Sequence, residues 1–118
     1  MPMSSDAELK FLTPAELYAI AEEVLGKRPN VRDRRGIRVA AGRPLTVAFG
    51  VEAYPSLYDK AAALLHALAA HHLFFDGNKR TATVAVTRFL IMNDCPPIWS
   101  QDEIRAFVLE IAQNRHDI

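Results

Sequence analysis

"HHLFFDGNKRTAT", residues 71–83, separates two segments in which apolar residues recur at helical spacing. The segment before it carries a stripe made of Leu57, Ala61, Leu64, Leu65 and Leu68. The segment after it resumes the period with Ala82, Val86, Phe89 and Leu90. Such a stripe buries one face of a helix, and the many alanines of the first segment indicate a central position. The pattern predicts two core helices joined by a polar loop, the first opened by Pro55 and the second over residues 79–93.

Capping signals predict three further helices. "TPAE" at residues 13–16 and "SQDE" at residues 100–103 are both capping boxes. The apolar stripe after the first box is Leu17, Ile20, Ala21, Val24 and Leu25, and the stripe after the second is Ile104, Phe107, Val108 and Ile111. Asp33 is a candidate N-cap for a shorter helix that ends at Arg43–Pro44.

One segment, "LTVAFGVEAYP" at residues 45–55, has the β-branched and aromatic residues of strands. It is long enough only for a strand-like flap or an extended loop. The predicted fold class is therefore all-α, a compact bundle of about five to six helices with a short flap. The length of 118 residues predicts a single domain over residues 1–118.

Composition excludes several classes of protein. The 14 basic residues balance 14 acidic ones, so the chain lacks the strong positive charge of a nucleic-acid binder, and we expect no direct nucleic-acid contact. Cys95 is the only cysteine, so no internal disulfide can form, as in proteins of a reducing compartment. No apolar run reaches membrane-spanning length and no signal-peptide pattern opens the chain, so we expect a cytoplasmic protein without membrane contact.

Basic residues are concentrated in one window, residues 27–43. Seven of the 14 bases lie there beside one acid, Asp33. The bases are Lys27, Arg28, Arg32, Arg34, Arg35, Arg38 and Arg43. Two interpretations stay open, a solvated basic face or a docking surface for an acidic partner.

The second half of the polar loop has the residues of a phosphate site. "DGNKR" leads into the second core helix, where first-turn amides and the positive end of the helix dipole favour an anion. Gly77 has no Cβ and lets a phosphate approach the backbone. Asn78 can donate a side-chain hydrogen bond. Lys79 and Arg80 add positive charge, and arginine binds phosphate bidentately.

Two further residues of the loop add chemistry. Asp76 offers carboxylate oxygens to a magnesium ion. His72 titrates near neutral pH and can remove a proton from a hydroxyl. Together the loop predicts phosphoryl or nucleotidyl transfer, although the GxxxxGK(S/T) pattern of the Walker loop is absent. A polar helix cap beside a structural histidine is the alternative interpretation.

The sequence resembles Doc toxins, the death-on-curing branch of the Fic superfamily. "HLFFDGNKR" matches their HxFx(D/A)(G/A)NKR motif, and "KAAALLHALAAHH", "TATVAVTRFLIMND" and "AGRP…FG" are also similar. The resemblance covers roughly residues 13–110 and implies a compact helical fold with the motif between two central helices.

The resemblance also implies roles for individual residues. His72 is the implied general base, and Phe74 packs into the core. Asp76 helps to hold magnesium and to position the reacting groups. Gly77, Asn78 and Arg80 are the implied contacts of the nucleotide phosphates.

Lys79 decides between branches of the superfamily. Other Fic enzymes have glycine at this place and transfer AMP from ATP. The lysine of Doc-like members goes with transfer of the terminal phosphate, and Lys79 would stabilise charge on the transferring group. The resemblance then implies a toxin that phosphorylates a threonine of elongation factor Tu with ATP and Mg²⁺. Its implied partner is a Phd-type antitoxin, bound as a helix in a groove. An AMP transferase and a catalytically weak antitoxin-binding module remain alternatives.

Three departures from the family pattern stand out. Ala70 replaces an arginine that many relatives carry, which leaves His71 or Arg43 as candidate substitutes. Phe75 stands where relatives often have a polar or smaller residue. The self-inhibitory (S/T)xxxE(G/N) pattern is absent, and residues 4–9 come nearest to it. Inhibition is therefore expected from a partner.

Overall fold

The computed structural model describes residues 9–95 and 99–113. It contains five α-helices over these residues: α1 (Pro14–Leu25), α2 (Arg34–Gly42), α3 (Leu57–Ala70), α4 (Asn78–Met92) and α5 (Gln101–Gln113). A 3₁₀ turn, Arg43–Leu45, follows α2, and a two-stranded hairpin comes before α3, with β1 at Val47–Ala48 and β2 at Val51–Glu52. The predicted all-α class with a short flap is confirmed. Residues 4–8, which form most of the segment nearest to the self-inhibitory pattern, lie outside the described residues.

Side-chain caps begin four of the helices. The capping box of α1 is complete, since Thr13 Oγ1 accepts from the Glu16 N–H at 3.1 Å and Glu16 Oε1 accepts from the Thr13 N–H at 2.9 Å. The same reciprocal pair joins Ser100 and Glu103 before α5. The Asp33 carboxylate caps α2, as predicted, by accepting from the Gly36 N–H at 2.8 Å.

The cap of α3 corrects one prediction. This helix begins at Leu57 and not at Pro55. Ser56 Oγ accepts from the Asp59 N–H at 3.0 Å and so fixes the N-cap one residue after the proline. A hydroxyl that satisfies a first-turn amide outweighs the proline signal here.

Helices α3 and α4 form the centre of the core. They contact each other, and each also contacts α5, while α1 packs on α4 and α2 packs on α1 and α3. The predicted stripe residues Ala61, Leu64, Leu65, Leu68, Ala82, Val86, Phe89 and Leu90 are all buried. Alanine fills many of the remaining α3 positions, which lets neighbouring helices approach from several sides.

Helix α5 buries a narrower face than its sequence pattern predicts. Ile104 and Val108 are buried, whereas the side chain of Phe107 is 49% exposed. Ile104 and Val108 lie one turn apart on the face toward the core, and Phe107 is rotated out of that line. The prediction that Phe107 belongs to the buried stripe was wrong, and the side chain of Ile111 lies outside the described residues.

The hairpin projects from the helices with little burial. β1 and β2 pair antiparallel, with Val47 opposite Glu52 and Ala48 opposite Val51. The turn residues Phe49 and Gly50 have φ of 55° and 77°, the left-handed pair that suits a two-residue hairpin turn. Both strands are exposed along their length. Within the described ranges, no helix combines the length and apolarity needed to cross a membrane.

Candidate active site

The polar loop between α3 and α4 is anchored by its two central residues. Leu73 and Phe74 are buried, whereas His72 and Phe75 on either side of them are exposed. The burial of Phe74 agrees with the structural role that was expected for it. The two buried side chains attach the loop to the core and leave His72 at the surface.

Backbone hydrogen bonds attach this loop to the segment before α2. The Leu73 carbonyl accepts from the N–H groups of Arg32 at 2.8 Å and Asp33 at 3.0 Å, and the Phe75 N–H donates to the Asn30 carbonyl at 3.1 Å. Val31 and Phe74 form an antiparallel bridge. Residues 73–75 thus pair with residues 30–33, and this pairing restricts the movement of the neighbouring His72.

Asn78 fixes the loop from the other side. Its Oδ1 accepts from the Phe74 N–H at 3.0 Å, and its Nδ2 donates to the Phe74 carbonyl at 2.8 Å. The Asn78 side chain therefore satisfies both the N–H and the carbonyl of Phe74, as a residue on a neighbouring strand would. The second hydrogen on Nδ2 stays available, so the expected phosphate contact of Asn78 remains a prediction.

Helix α4 begins without a side-chain cap among the described residues, unlike the other four helices. Gly77 is its N-cap, with φ of 77°, and the first backbone bond into the helix runs from the Thr81 N–H to the Gly77 carbonyl at 2.9 Å. The amides of residues 78–80 lie before that bond, where a helix supplies no acceptors. The Asp76 carboxylate lies beside this start and accepts from the Gly77 N–H at 2.8 Å.

Packing gives a further reason for glycine at position 77. A Cβ there would lie 3.0 Å from Cδ2 and 3.3 Å from Cγ of Leu25, at the end of α1. The left-handed φ of 77° also disfavours a larger residue. Gly77 thus lets the loop turn tightly against α1, and close approach of a phosphate remains a separate expectation.

Lys79 and Arg80 are exposed and line a groove between α1, α4 and α5. The groove has a volume of about 590 Å³ and is lined by Val24, Lys79, Arg80, Thr83, Val84, Arg105, Val108 and Leu109. Arg80 Nη1 donates a long bond of 3.4 Å to the Val24 carbonyl in the last turn of α1. The two expected phosphate ligands therefore lie at the rim of an apolar groove as well as at the start of α4.

A second cavity lies beside the histidine end of the loop. It has a volume of about 260 Å³, and Arg35, Arg43 and His71 contribute to its lining. Ala70 is 2% exposed, so the position that carries arginine in many relatives is buried. Arg43 and His71, the two candidates to replace the missing arginine, thus line the same cavity.

His66 of α3 lies beside His71. Its ring lies edge-on to that of His71, with 6.5 Å between the centroids. Burial, followed by the charges of His71 and Arg43, lowers the pKa of His66 below its usual range. His66 Nε2 is buried without a hydrogen-bond partner in the described part of the chain. Burial and the neighbouring charges therefore favour the neutral form of His66.

The loop's residues suit magnesium and nucleotide phosphates. Mg²⁺ is commonly held by one or two carboxylates together with substrate phosphates and water, which a single exposed Asp76 can satisfy. Over residues 9–95 and 99–113 no group of three or more His, Cys, Asp or Glu side chains forms a protein-only metal cage. The uncapped start of α4, with Lys79 and Arg80 in its first turn, suits phosphate oxygens.

A comparison with known families decides the relationship. The sequence model of the protein family described as "Fic/DOC family" matches residues 11–90, which is more than half of the chain. The chain belongs to the Fic/DOC family. The matched span runs from α1 through α4 and contains the whole polar loop, so the family resemblance expected from residues 72–80 is confirmed.

A curated member of the Fic/DOC family is similar to this chain. It is Toxin Doc of Mycolicibacterium smegmatis (strain ATCC 700084 / mc(2)155), 42% identical over 84 residues. The alignment covers 71% of this chain and 65% of the relative, so the chain spans less than two thirds of that protein's length. No solved structure matches the chain.

Three features of this Fic/DOC loop and its surroundings were not predicted. The bridge to Val31 and the Asn78 clamp depend on tertiary contacts that a local pattern does not contain. The third is Lys60, a buried lysine of α3. A sequence signal for it existed, since a charged residue there follows Leu57 by three and precedes Ala61 and Leu64 of the apolar stripe.

Proposed function

We propose that this Fic/DOC protein is a toxin of the Doc type, an enzyme that transfers the γ-phosphate of ATP to a hydroxyl of a target protein. The expected target is a threonine of elongation factor Tu, so the expected outcome is arrested translation in the cytoplasm. The observation that carries the proposal is the uncapped start of α4, with Lys79 and Arg80 in its first turn and the Asp76 carboxylate beside it, in the same loop as exposed His72. The similarity to a protein named Toxin Doc supports the toxin assignment.

His72 acts as the general base in this reaction. An imidazole nitrogen of His72 takes the proton of the target hydroxyl while the hydroxyl oxygen forms its bond to the γ-phosphorus. The bond from that phosphorus to the β–γ bridging oxygen breaks, and ADP leaves. A base in this position contributes about a hundred- to ten-thousandfold to the rate.

The remaining loop residues bind and orient. ATP supplies the activated phosphoryl group, and Asp76 would hold a Mg²⁺ ion that offsets negative charge on the phosphates. The first-turn amides of α4 and Arg80 hold phosphate oxygens, and Lys79 stabilises negative charge on the transferring group. Asn78 keeps the loop in shape through both of its bonds to Phe74.

A Phd-type antitoxin is the proposed inhibitor. The groove between α1, α4 and α5 has an apolar lining, with Val84, Val108 and Leu109, and a basic rim that includes Lys79, Arg80 and Arg105. An amphipathic helix with apolar anchors and acidic flanks fits such a lining. A segment bound there would cover Lys79 and Arg80 and so obstruct the nucleotide.

Two labelling reactions test the enzymatic proposal. The purified protein is incubated with elongation factor Tu and ATP labelled either at the γ-phosphate or at the α-phosphate. Label on the target from the γ position alone, with a mass gain of one phosphate, supports the kinase. Label from the α position would support the AMP transferase instead, and no label would support the binding module.

A further inference from the structure

Lys60 is the most buried charged residue among those the structure describes, with 1% of its surface exposed. It lies in the first turns of α3, followed by the buried Ala61. Lysine is almost never fully buried unless its ammonium group is paired, because desolvation of an unpaired charge is costly. Its partners therefore indicate what the residue does.

The Lys60 ammonium makes two contacts with the second arm of the hairpin. Lys60 Nζ lies 2.7 Å from Glu52 Oε1 in β2 and also donates to the carbonyl of Tyr54. A charged pair with an additional carbonyl acceptor is stronger than a neutral contact. Lys60 thus attaches the outgoing arm of the hairpin directly to α3.

The hairpin has little other side-chain burial to hold it. Its large apolar side chains are exposed, with Val47 at 60%, Val51 at 67% and Phe49 at 104%. The backbone at its base is closed by the Ala53 N–H, which donates to the Thr46 carbonyl at 2.9 Å. Exposed apolar side chains on an unpaired hairpin are typical of a surface that contacts another protein.

Helix α3 connects the hairpin anchor to the proposed base. Lys60 lies near its start, and His72 follows two residues after its end at Ala70. A helix of 14 residues is about 20 Å long and behaves as one rigid element. The position of the hairpin relative to α3 is therefore also its position relative to His72.

We propose that Lys60 is a positioning residue that fixes the hairpin on α3, so that a protein bound to the hairpin presents its hydroxyl to His72. This inference rests on the proposed transfer to a protein hydroxyl. It concerns binding of the protein substrate and not of ATP, whose expected ligands are at the start of α4. Loss of the anchor is therefore expected to affect the two substrates differently.

The anchor itself is tested without any substrate. Lys60→Met keeps an unbranched apolar stem of similar length, and Glu52→Gln removes the carboxylate from the exposed side without changing the core. We expect amide hydrogen exchange over residues 46–54 to accelerate about tenfold or more in both variants, with α4 unchanged. Exchange that stays at the wild-type rate in the hairpin, or that accelerates equally in α4, would refute the anchor.

The positioning role is tested by steady-state transfer to elongation factor Tu. Both variants should raise KM for the protein substrate about tenfold and leave KM for ATP unchanged. The double variant should be no worse than Lys60→Met alone, because the two residues act through one contact. An unchanged protein KM in variants with a loosened hairpin would overturn the positioning role. Absence of transfer in the wild type would instead reject the proposed function, and the exchange result would still decide the anchor.

Discussion

Helices α1 and α4 begin in opposite ways. The start of α1 has a complete capping box, with Glu16 in the first turn, where an acid is favourable beside the helix dipole. The start of α4 has Gly77 as N-cap, no side-chain cap among the described residues and no acid in its first turn, which carries Lys79 and Arg80. Two cations at the positive end of a helix oppose helix stability. The start of α1 is satisfied by its own side chains, whereas the start of α4 leaves first-turn amides for the anion that we propose binds there.

The largest expected effect comes from the residue that gives the α4 end its chemistry. His72→Ala should lower transfer to the target about a hundred- to ten-thousandfold, because the general base is lost. The exposed position of His72 means that the helical circular dichroism should not change. A folded His72→Ala protein that transfers phosphate at the wild-type rate would remove the base assignment.

Arg80 and Arg88 separate the start of α4 from the rest of the same helix. Arg80→Ala should raise KM for ATP about ten- to a hundredfold, the usual worth of a hydrogen bond to a charged group. Arg88 is the matched control, because it is exposed on α4 and makes a bidentate pair with Glu23 at 2.7 Å for each bond. Hydrogen bonds from Arg88 hold the pKa of Glu23 below its usual value.

Arg88→Ala should leave KM for ATP unchanged, because Arg88 lies about three turns beyond the start of α4. Its exposed ion pair also contributes little to stability, so the variant should stay folded. Equal effects of the two substitutions would mean that general positive charge on α4, and not the position of Arg80 at its start, determines nucleotide use.

Thr13→Ala tests the other half of the comparison. Loss of the cap should cost about 1 kcal/mol of folding free energy, measured by urea denaturation. KM for ATP and the rate per folded molecule should stay at wild-type values, because Thr13 caps the end of α1 opposite to Val24 and Leu25, which contact the α4 start. A Thr13→Ala protein with the wild-type free energy of unfolding but a raised KM for ATP would contradict the separate roles of the two helix starts.

The smallest expected effect concerns pH at the far end of α3. The folded-state pKa of His66 is lowered, so the unfolded chain binds the proton more readily than the folded protein does. Stability should therefore fall as pH drops through the ordinary histidine value of about 6.5 and below. His66→Gln should reduce the loss of stability between pH 7 and pH 5, as measured by urea midpoints. An unchanged pH dependence would show that other groups are responsible.

Local sequence signals predicted the helix starts better than they predicted the tertiary contacts around the candidate site. The boxes at Thr13 and Ser100 and the cap at Asp33 were all confirmed, because each depends on residues three apart. The exposure of Phe107 was missed, because the number of buried positions on α5 depends on how closely its neighbours approach.

The same limit applies to the loop. Its residue types predicted where chemistry would lie, and the family match confirms the motif that contains them. The bridge between Val31 and Phe74 and the pair of Lys60 with Glu52 join separate segments, so the spacing within one segment did not predict them.

If the start of α4 binds an anion, a nuclear magnetic resonance titration with Mg–ATP should shift the signals of its first backbone amides. We expect the largest changes in amide chemical shift at Gly77, Asn78, Lys79 and Arg80, with Ala15 and Glu16 at the capped start of α1 unchanged. Unchanged amides at residues 77–80 in the presence of saturating Mg–ATP, or equal changes at Ala15 and Glu16, would contradict the account.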